Sequence, residues 1–175
     1  MKIAIIYTTN GGTTRECAYH LAEELKRYDV WVADMNDPSV DLQKYDLVVV
    51  GFPIRMGKAC REARKYIKKN TQILSCKTIG FFICCGFIDC FEDYKLNVIP
   101  RALAEKAIDI SCFGGSLDHK RFKWLDRIIV KAVRDEILGG GDNGDQRDDM
   151  TLPTILDENI CQFAQNVKKH IEPQK

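Results

Sequence analysis

The residues best suited to bind a ligand lie near the start of the chain, in the segment YTTNGGTT at residues 7–14. This segment follows an apolar run and holds four threonines, one asparagine and two adjacent glycines, but no lysine. Hydroxyl and amide groups can donate to phosphate oxygens, and a helix amino end adds N–H donors and partial positive charge. Adjacent glycines allow the positive φ angles with which N–H groups converge on an anion. The predicted anion-binding residues are Thr8, Thr9, Asn10, Gly11, Gly12, Thr13 and Thr14.

The same segment argues against three other kinds of site. A dinucleotide-binding loop needs the spacing G-x-G-x-x-G, and a nucleoside-triphosphate loop needs Gly-Lys before its last Ser or Thr. A phospho-acceptor receiver domain needs acidic residues after its first strand and an aspartate at the end of its third. The chain has Thr8 and Thr9 in the first position and Gly51 in the second. The remaining candidate is a terminal phosphate that neutral donors bind.

Apolar runs and helical periodicity predict the elements that position this segment. Strands are expected at residues 2–7, 30–33, 46–51, 77–85 and 108–113, and helices at 14–28, 59–69, within 92–107, at 122–138 and at 154–170. We expect Pro100 to kink the third helix or to lie in its first turn. We expect Lys26 and Arg27 to complement the dipole in the last turn of the first helix. Buried strands that alternate with helices predict an α/β fold with a five-stranded parallel sheet and helices on both faces, in one domain over residues 1–175.

The composition argues against several classes of protein. The net charge of +1, from 26 basic and 25 acidic residues, lacks the basic excess of a nucleic-acid-binding protein. Apolar runs fall short of the roughly 18 residues that suggest a membrane-spanning helix. The first residues lack the long apolar region of a signal peptide. We therefore expect a cytoplasmic protein that does not bind nucleic acid.

The eight cysteines are expected to be reduced thiols that serve mainly as small buried hydrophobes. Cys84, Cys85 and Cys90 cluster in the segment CCGFIDC. A metal or iron–sulfur cluster there would need a fourth ligand from elsewhere, and the spacing matches no common motif. The sequence therefore predicts no metal site.

The segment from Ile5 to Ala18 resembles the flavodoxin family. It agrees with the flavodoxin pattern at every fixed position, namely Ile5, Ile6, Tyr7, Thr9, Gly12, Thr14 and Ala18. The resemblance implies a flavodoxin-like three-layer sandwich. It also implies non-covalently bound FMN, with the FMN phosphate on residues 8–14.

Later segments, taken in order, resemble one branch of that fold, the quinone-dependent protoporphyrinogen IX dehydrogenases. They are IRMG at 54–57, RFKWLDRIIVK at 121–131, a Gly-Gly and acidic stretch, and Phe163-Ala164. The resemblance implies an FMN enzyme that takes hydrogen from a porphyrinogen and passes electrons to a quinone. The segment CGFIDCFEDYKLN departs from that branch, since it is shorter and less basic. A flavodoxin-type electron carrier and an FMN-free interaction module remain alternatives.

The resemblance also implies where a flavin ring would lie, between the loops after the third and fourth strands. The residues so implied are Pro53, Ile54, Arg55, Met56, Gly57, Cys85, Gly86 and Phe87. Backbone N–H groups there can stabilise negative charge on a reduced flavin. No side chain is assigned a catalytic role, because the chemistry belongs to the cofactor.

The segment Lys120–Arg134 carries six basic residues and a single acid. It is either an amphipathic helix packed on the sheet with a solvated basic face, or a contact with a membrane surface or with porphyrin carboxylates. The second interpretation places the protein peripherally at the inner face of a membrane.

Overall fold

The computed structural model describes residues 1–55, 57–86, 91–115 and 154–172, without the side chains of Asp93 and Leu96. The strands are β1 (Lys2–Tyr7), β2 (Asp29–Asp34), β3 (Leu47–Arg55), β4 (Lys58–Ala59), β5 (Thr78–Cys84) and β6 (Ile110–Cys112). The helices are α1 (Thr13–Glu24), α2 (Arg61–Ser75), α3 (Phe91–Val98), α4 (Arg101–Ala104) and α5 (Asp157–Ile171), with a 3₁₀ turn at Leu42–Lys44.

Five strands form a parallel sheet in the order β2-β1-β3-β5-β6, and the short β4 pairs antiparallel with β3. The predicted five-stranded parallel sheet is therefore confirmed. The chain runs outward from β1 to β2 and then returns to place β3 on the other side of β1. Such a reversal of strand order leaves a crevice outside the carboxyl ends of the two central strands.

Helices cover both faces of the sheet, as the apolar strands predict. Along β1, Ile3, Ile5 and Tyr7 face α1 and α5, whereas Ala4 and Ile6 face α2. Each fully buried aliphatic side chain of this kind contributes about 1.5–3 kcal/mol through removal from water. The sheet between two helical layers gives the three-layer sandwich expected from the sequence.

Several predicted boundaries are wrong. Helix α1 ends at Glu24, and a turn that buries Leu25 follows it. Lys26 and Arg27 therefore lie beyond the last turn of the helix, where they were predicted to complement its dipole. The segment 92–107 forms two helices because Pro100, with its fixed φ and missing N–H, precedes the first residue of α4. The final helix begins at Asp157. The predicted helix at 122–138 lies outside the described residues.

Aromatic rings fix β3, β5 and β6 against α5. Phe82 stacks on Phe113 with ring centroids 4.6 Å apart, and Phe113 meets Phe163 of α5 edge-on at 5.5 Å. The Phe82 ring also lies over Gly51, where an added Cβ would be 2.0 Å from the ring. The Phe82 ring occupies the space that a side chain at residue 51 would need, so this position requires glycine.

Gly51→Ala is expected to lower the free energy of unfolding by about 1–3 kcal/mol, since Phe82 must leave its stacked position. Urea unfolding followed by circular dichroism measures the change. Gly11→Ala is the matched control, because an added Cβ there would meet nothing within 4 Å among the described atoms. Equal unfolding midpoints for the two variants would contradict this account of the ring stack.

Candidate functional site

The loop after β1 is tied down at its start and closed by one of its own threonines. Thr8 is buried and its N–H donates to the Gly51 carbonyl at 3.1 Å, which extends the pairing of β1 with β3. The Thr9 hydroxyl accepts the Gly12 N–H at 2.9 Å. Gly12 has φ 95°, a left-handed conformation that costs other L-residues about 1–2 kcal/mol. The predicted positive-φ glycine turn is therefore present at Gly12.

The amino end of α1 opens into this loop without a side-chain cap from the described residues. The Glu16 N–H donates to Gly12 at 3.0 Å, so the N–H groups of Thr13, Thr14 and Arg15 precede the regular helical hydrogen bonds. Asn10 and Gly11 are exposed around it. N–H donors at the positive end of a helix dipole, beside small and neutral residues, fit an anionic group such as a phosphate.

The Thr14 side chain faces inward instead of lining the loop surface. It is 1 % exposed, and its hydroxyl hydrogen-bonds the Cys84 thiol beneath the loop. Thr14 can therefore offer its N–H to an anion while its hydroxyl joins the loop to the end of β5.

Charged and aromatic side chains flank the loop near Tyr7. Tyr7 and Tyr19 meet edge-on with centroids 6.5 Å apart. Burial, Tyr19 and Asp34 raise the pKa of Tyr7, and Arg15 opposes that rise. Arg15 was not among the predicted site residues. It lies within the segment Ile5–Ala18 at a position that the flavodoxin pattern leaves variable.

The residues after Gly51 form a hairpin, which corrects the predicted strand end at Gly51. Strand β3 continues through Pro53 and Ile54 to Arg55, and Arg55 pairs with Lys58 across the turn. Gly57, with φ 70°, lies in that turn against the ring of Tyr94. The apolar run fades at Pro53, but pairing with β4 keeps the backbone extended. The structure thus places Pro53, Ile54, Arg55 and Gly57 on one hairpin, and Met56 lies outside the described residues.

The end of β5 lies beside this hairpin and against the end of β6. Pro53 is in register with Cys84, so Cys85 and Gly86 follow at the same edge of the sheet. Cys85 is buried, and an added Cβ on Gly115 would lie 2.9 Å from the Cys85 carbonyl carbon. The two chain segments therefore touch backbone to backbone. Phe87 lies outside the described residues.

Four thiols lie under this edge in two pairs. The sulfurs of Cys84 and Cys17 are 3.8 Å apart, and those of Cys85 and Cys112 are 3.4 Å apart. The hydrogen bond to Cys17 and burial raise the pKa of Cys84 well above its usual range. The hydrogen bond from Cys85 and two backbone N–H groups lower the pKa of Cys112 to about 7, against the opposing effect of burial.

Cys84 pairs with Cys17, whereas Cys85 pairs with Cys112. The sulfurs of Cys84 and Cys85 are therefore not placed together as ligands of one metal ion. Cys90, the third member of the sequence cluster, lies outside the described residues. Within the part of the chain that the structure describes, no group of three or more His, Cys, Asp or Glu could hold a metal ion. Cys112 is a candidate functional residue that sequence reasoning missed, because no spacing in the chain connects it to Cys85.

Pairing of the strands brings most of the predicted site residues to one edge. Tyr7 is in register with Gly51, and Pro53 with Cys84. The loop at 8–14, the β3–β4 hairpin and Cys85-Gly86 therefore all lie at the carboxyl end of the sheet, where β1 and β3 diverge. The segment Lys120–Arg134 lies outside the described residues. None of the helices described here is long and apolar enough to cross a membrane.

Comparison with known proteins agrees with this geometry. Residues 4–143 match the model of the flavodoxin domain. Protoporphyrinogen IX dehydrogenase [quinone] of Escherichia coli is 23 % identical over 188 residues, which cover 95 % of this chain and 94 % of the relative. Oxidised flavodoxin 1 from Bacillus cereus has a TM-score of 0.54 at 15 % identity, covering 98 % of this chain and 100 % of that one. FMN-bound flavodoxin from Fusobacterium nucleatum has a TM-score of 0.51 at 13 % identity, covering 97 % of this chain and 98 % of that one. With the fold and four-fifths of its length matched, the chain belongs to the flavodoxin domain family.

Proposed function

We propose that the protein binds FMN at the carboxyl edge of its sheet and acts as an FMN-dependent oxidoreductase. The observation that carries this proposal is the amino end of α1, which has no side-chain cap among the described residues and opens into a neutral loop where β1 and β3 diverge. Doubly wound sheets of this strand order bind FMN at that point. The loop binds a phosphate without a lysine because several N–H groups and the helix dipole supply the positive charge.

Each part of the loop has a separate role in holding the phosphate. Gly12 supplies the left-handed turn, and Thr9 holds that turn closed through the Gly12 N–H. The N–H groups of Thr13 and Thr14 and the amide of Asn10 are donors toward the phosphate oxygens. Thr8 fixes the loop to β3, so these donors are positioned before the ligand arrives.

The hairpin and the end of β5 are the proposed walls of the ring site. Ile54 and Pro53 are half-buried on one side, and the Cys85-Gly86 backbone lies on the other. When bound, FMN supplies reversible two-electron and one-electron transfer. The residues of this chain bind and orient the ring, and the backbone N–H groups at the glycines of the two walls favour its reduced, negatively charged form.

For the substrate, we propose protoporphyrinogen IX, with a quinone as electron acceptor. The support is the protoporphyrinogen IX dehydrogenase [quinone] of Escherichia coli, which aligns along nearly the whole of both chains. Basic residues of the segment Lys120–Arg134 are the proposed partners of the porphyrinogen carboxylates or of an acidic membrane surface. A quinone acceptor is apolar, so a peripheral position on the inner face of a membrane would bring the protein to it.

Anaerobic turnover tests this function. FMN-loaded protein is mixed with protoporphyrinogen IX and a menaquinone analogue, and porphyrin formation is followed by fluorescence. The expected result is porphyrin formation that depends on both FMN and quinone. Uptake of FMN without porphyrin formation, together with reduction by a flavodoxin reductase, would reject the dehydrogenase and favour an electron carrier.

FMN is expected to bind at least about 100-fold more tightly than riboflavin. The two ligands differ only in the phosphate, and two or more charge-assisted hydrogen bonds of about 1.5 kcal/mol each give that ratio. Quenching of flavin fluorescence measures both affinities. Similar affinities would show that residues 8–14 do not hold the phosphate.

Thr9→Val is expected to weaken FMN binding about tenfold, because the Gly12 N–H loses its acceptor and the turn loosens. Thr9→Ser keeps the hydroxyl and is the matched control, with an affinity expected to match the parent protein. The same fluorescence titration compares the three proteins. Equal weakening in both variants would mean that the methyl group of Thr9, and not its hydroxyl, supports the loop.

Binding to lipid vesicles tests the membrane contact. The protein is expected to sediment with vesicles of anionic lipid, and a variant with Lys123, Arg127 and Lys131 changed to Glu is expected to stay in the supernatant. Vesicles of neutral lipid are the control. Identical sedimentation of the two proteins would reject a basic membrane-binding surface.

A further inference from the structure

Two neighbouring residues of β5 place their thiols in opposite chemical environments. Cys84 meets Cys17 of α1 at 3.8 Å, while Cys85 meets Cys112 at the end of β6 at 3.4 Å. All four are free cysteines with no disulfide between them, and all four side chains are buried. Only the second pair has the features of a reactive thiol site.

Cys112 is surrounded by hydrogen-bond donors. Its sulfur accepts the Gly114 N–H at 3.4 Å, and it also interacts with the Cys85 thiol and the Cys85 N–H. These donors hold the pKa of Cys112 at about 7. At pH 7 such a group is about half thiolate, against about 3 % for an ordinary cysteine of pKa about 8.5. The thiolate is the form that reacts with oxidants.

We propose that Cys85 and Cys112 form a reversible disulfide when a peroxide oxidises them. The Cys112 thiolate attacks one peroxide oxygen, the O–O bond breaks, and Cys112 becomes a sulfenic acid as one water leaves. The Cys85 sulfur then attacks the Cys112 sulfur, the S–O bond breaks, and a second water leaves. Two thiols lose two electrons and two protons, and hydrogen peroxide becomes two waters. A dithiol such as dithiothreitol returns the pair to its reduced state.

The burial of the pair selects the oxidant. Cys85 is 3 % exposed and Cys112 is 4 % exposed, so a large disulfide such as oxidised glutathione cannot approach either sulfur. Hydrogen peroxide is close in size to a water molecule, and for this reason we infer that it is the oxidant of the Cys85–Cys112 pair. The resolving thiol is already 3.4 Å away, which favours disulfide formation over further oxidation of the sulfenic acid.

Closing the bond requires the sulfurs to approach by about 1.4 Å, to a length of about 2.05 Å. Strand β6 can supply this movement, since it has three residues and pairs with β5 on one side only among the described strands. The backbone of Cys85-Gly86 has less freedom, because Gly115 packs directly against it.

The Cys17–Cys84 pair is a control built into the same protein. The hydrogen bond to Cys17 and burial raise the pKa of Cys84 well above its usual range, although the Thr14 hydroxyl opposes that rise. Its thiol therefore stays protonated at pH 7 and reacts slowly. If proximity alone caused oxidation, both pairs would react. The proposal requires that only the Cys85–Cys112 pair is oxidised.

Mass spectrometry of the peroxide-treated 175-residue protein tests the proposal, with or without FMN. Reduced protein is treated with hydrogen peroxide at pH 7, alkylated after denaturation, and digested without reduction. The expected product links the Cys85 and Cys112 peptides, with two of the eight thiols lost and recovered by dithiothreitol. A Cys76→Ser variant, in which the exposed thiol of Cys76 is removed, is expected to give the same Cys85–Cys112 disulfide. Because FMN is not needed, the result is independent of the proposed cofactor.

Two variants separate the attacking thiol from the resolving one. Cys85→Ser is expected to stop at a Cys112 sulfenic acid that dimedone traps, and Cys112→Ser is expected to leave Cys85 a thiol. In the parent protein the rate of peroxide oxidation is expected to rise between pH 6 and 8 and then level off, following an apparent pKa of about 7 for Cys112. Cys85→Ala is expected to move that midpoint to higher pH.

The proposal is overturned if Cys85 and Cys112 are both recovered as thiols at peroxide concentrations that oxidise Cys76. It is also overturned if Cys17 and Cys84 form the bond instead. Both outcomes come from the parent protein, so they do not depend on whether a variant folds.

Discussion

The site depends on the parallel pairing of β1 with β3, two strands that are adjacent in the sheet although β2 lies between them in the chain. The last hydrogen bond of that pairing joins the Thr8 N–H to the Gly51 carbonyl. Beyond it, one segment leads to α1 on one face of the sheet and the other leads through the hairpin to α2 on the opposite face. The crevice is a consequence of this divergence. Neither loop could form it alone.

The features of the fold that could be predicted from the sequence are those that residues close together in the chain determine. Positions 5–18 lie within one strand, one turn and one helix, so their spacing predicts which residues lie at the crevice, whereas the inward direction of the Thr14 side chain depends on its contact with Cys84. The apolar strands likewise determined the sheet, because a strand buried on both faces has few other arrangements. Boundaries failed where tertiary contacts decide: a turn that buries Leu25 follows α1 directly, and pairing with β5 and then with β4 extends β3 past Gly51. The pairing of Cys85 with Cys112 joins positions 27 residues apart and follows only from the register of β5 and β6.

Electrostatics at this edge come from backbone groups more than from charged side chains. The loop at 8–14 has no ionisable side chain, and we propose that N–H groups at the end of α1 supply its attraction for anions. At Cys112 the Cys85 thiol is the main cause of the lowered pKa, and the N–H groups of Gly114 and Cys85 add to its effect. Backbone donors have fixed positions, so they lose little entropy when an anion forms or binds. The proposed phosphate loop and Cys112 thus lie at one edge of the sheet, and the donors at both are uncharged groups.

The position of Cys112 is set by α5 as much as by the sheet. A strand of three residues has few hydrogen bonds to β5, and side chains of α5 add to them. Asn159 donates to the Cys112 carbonyl at 2.7 Å, and Asn166 donates to Asp109 at 2.8 Å just before β6. At about 1 kcal/mol each, these bonds are comparable with those of the strand itself. Phe163 adds apolar contact with Phe113, the residue after Cys112. Helix α5 therefore limits how far β6 and its thiol can move, and changes along α5 would reach Cys112 through β6.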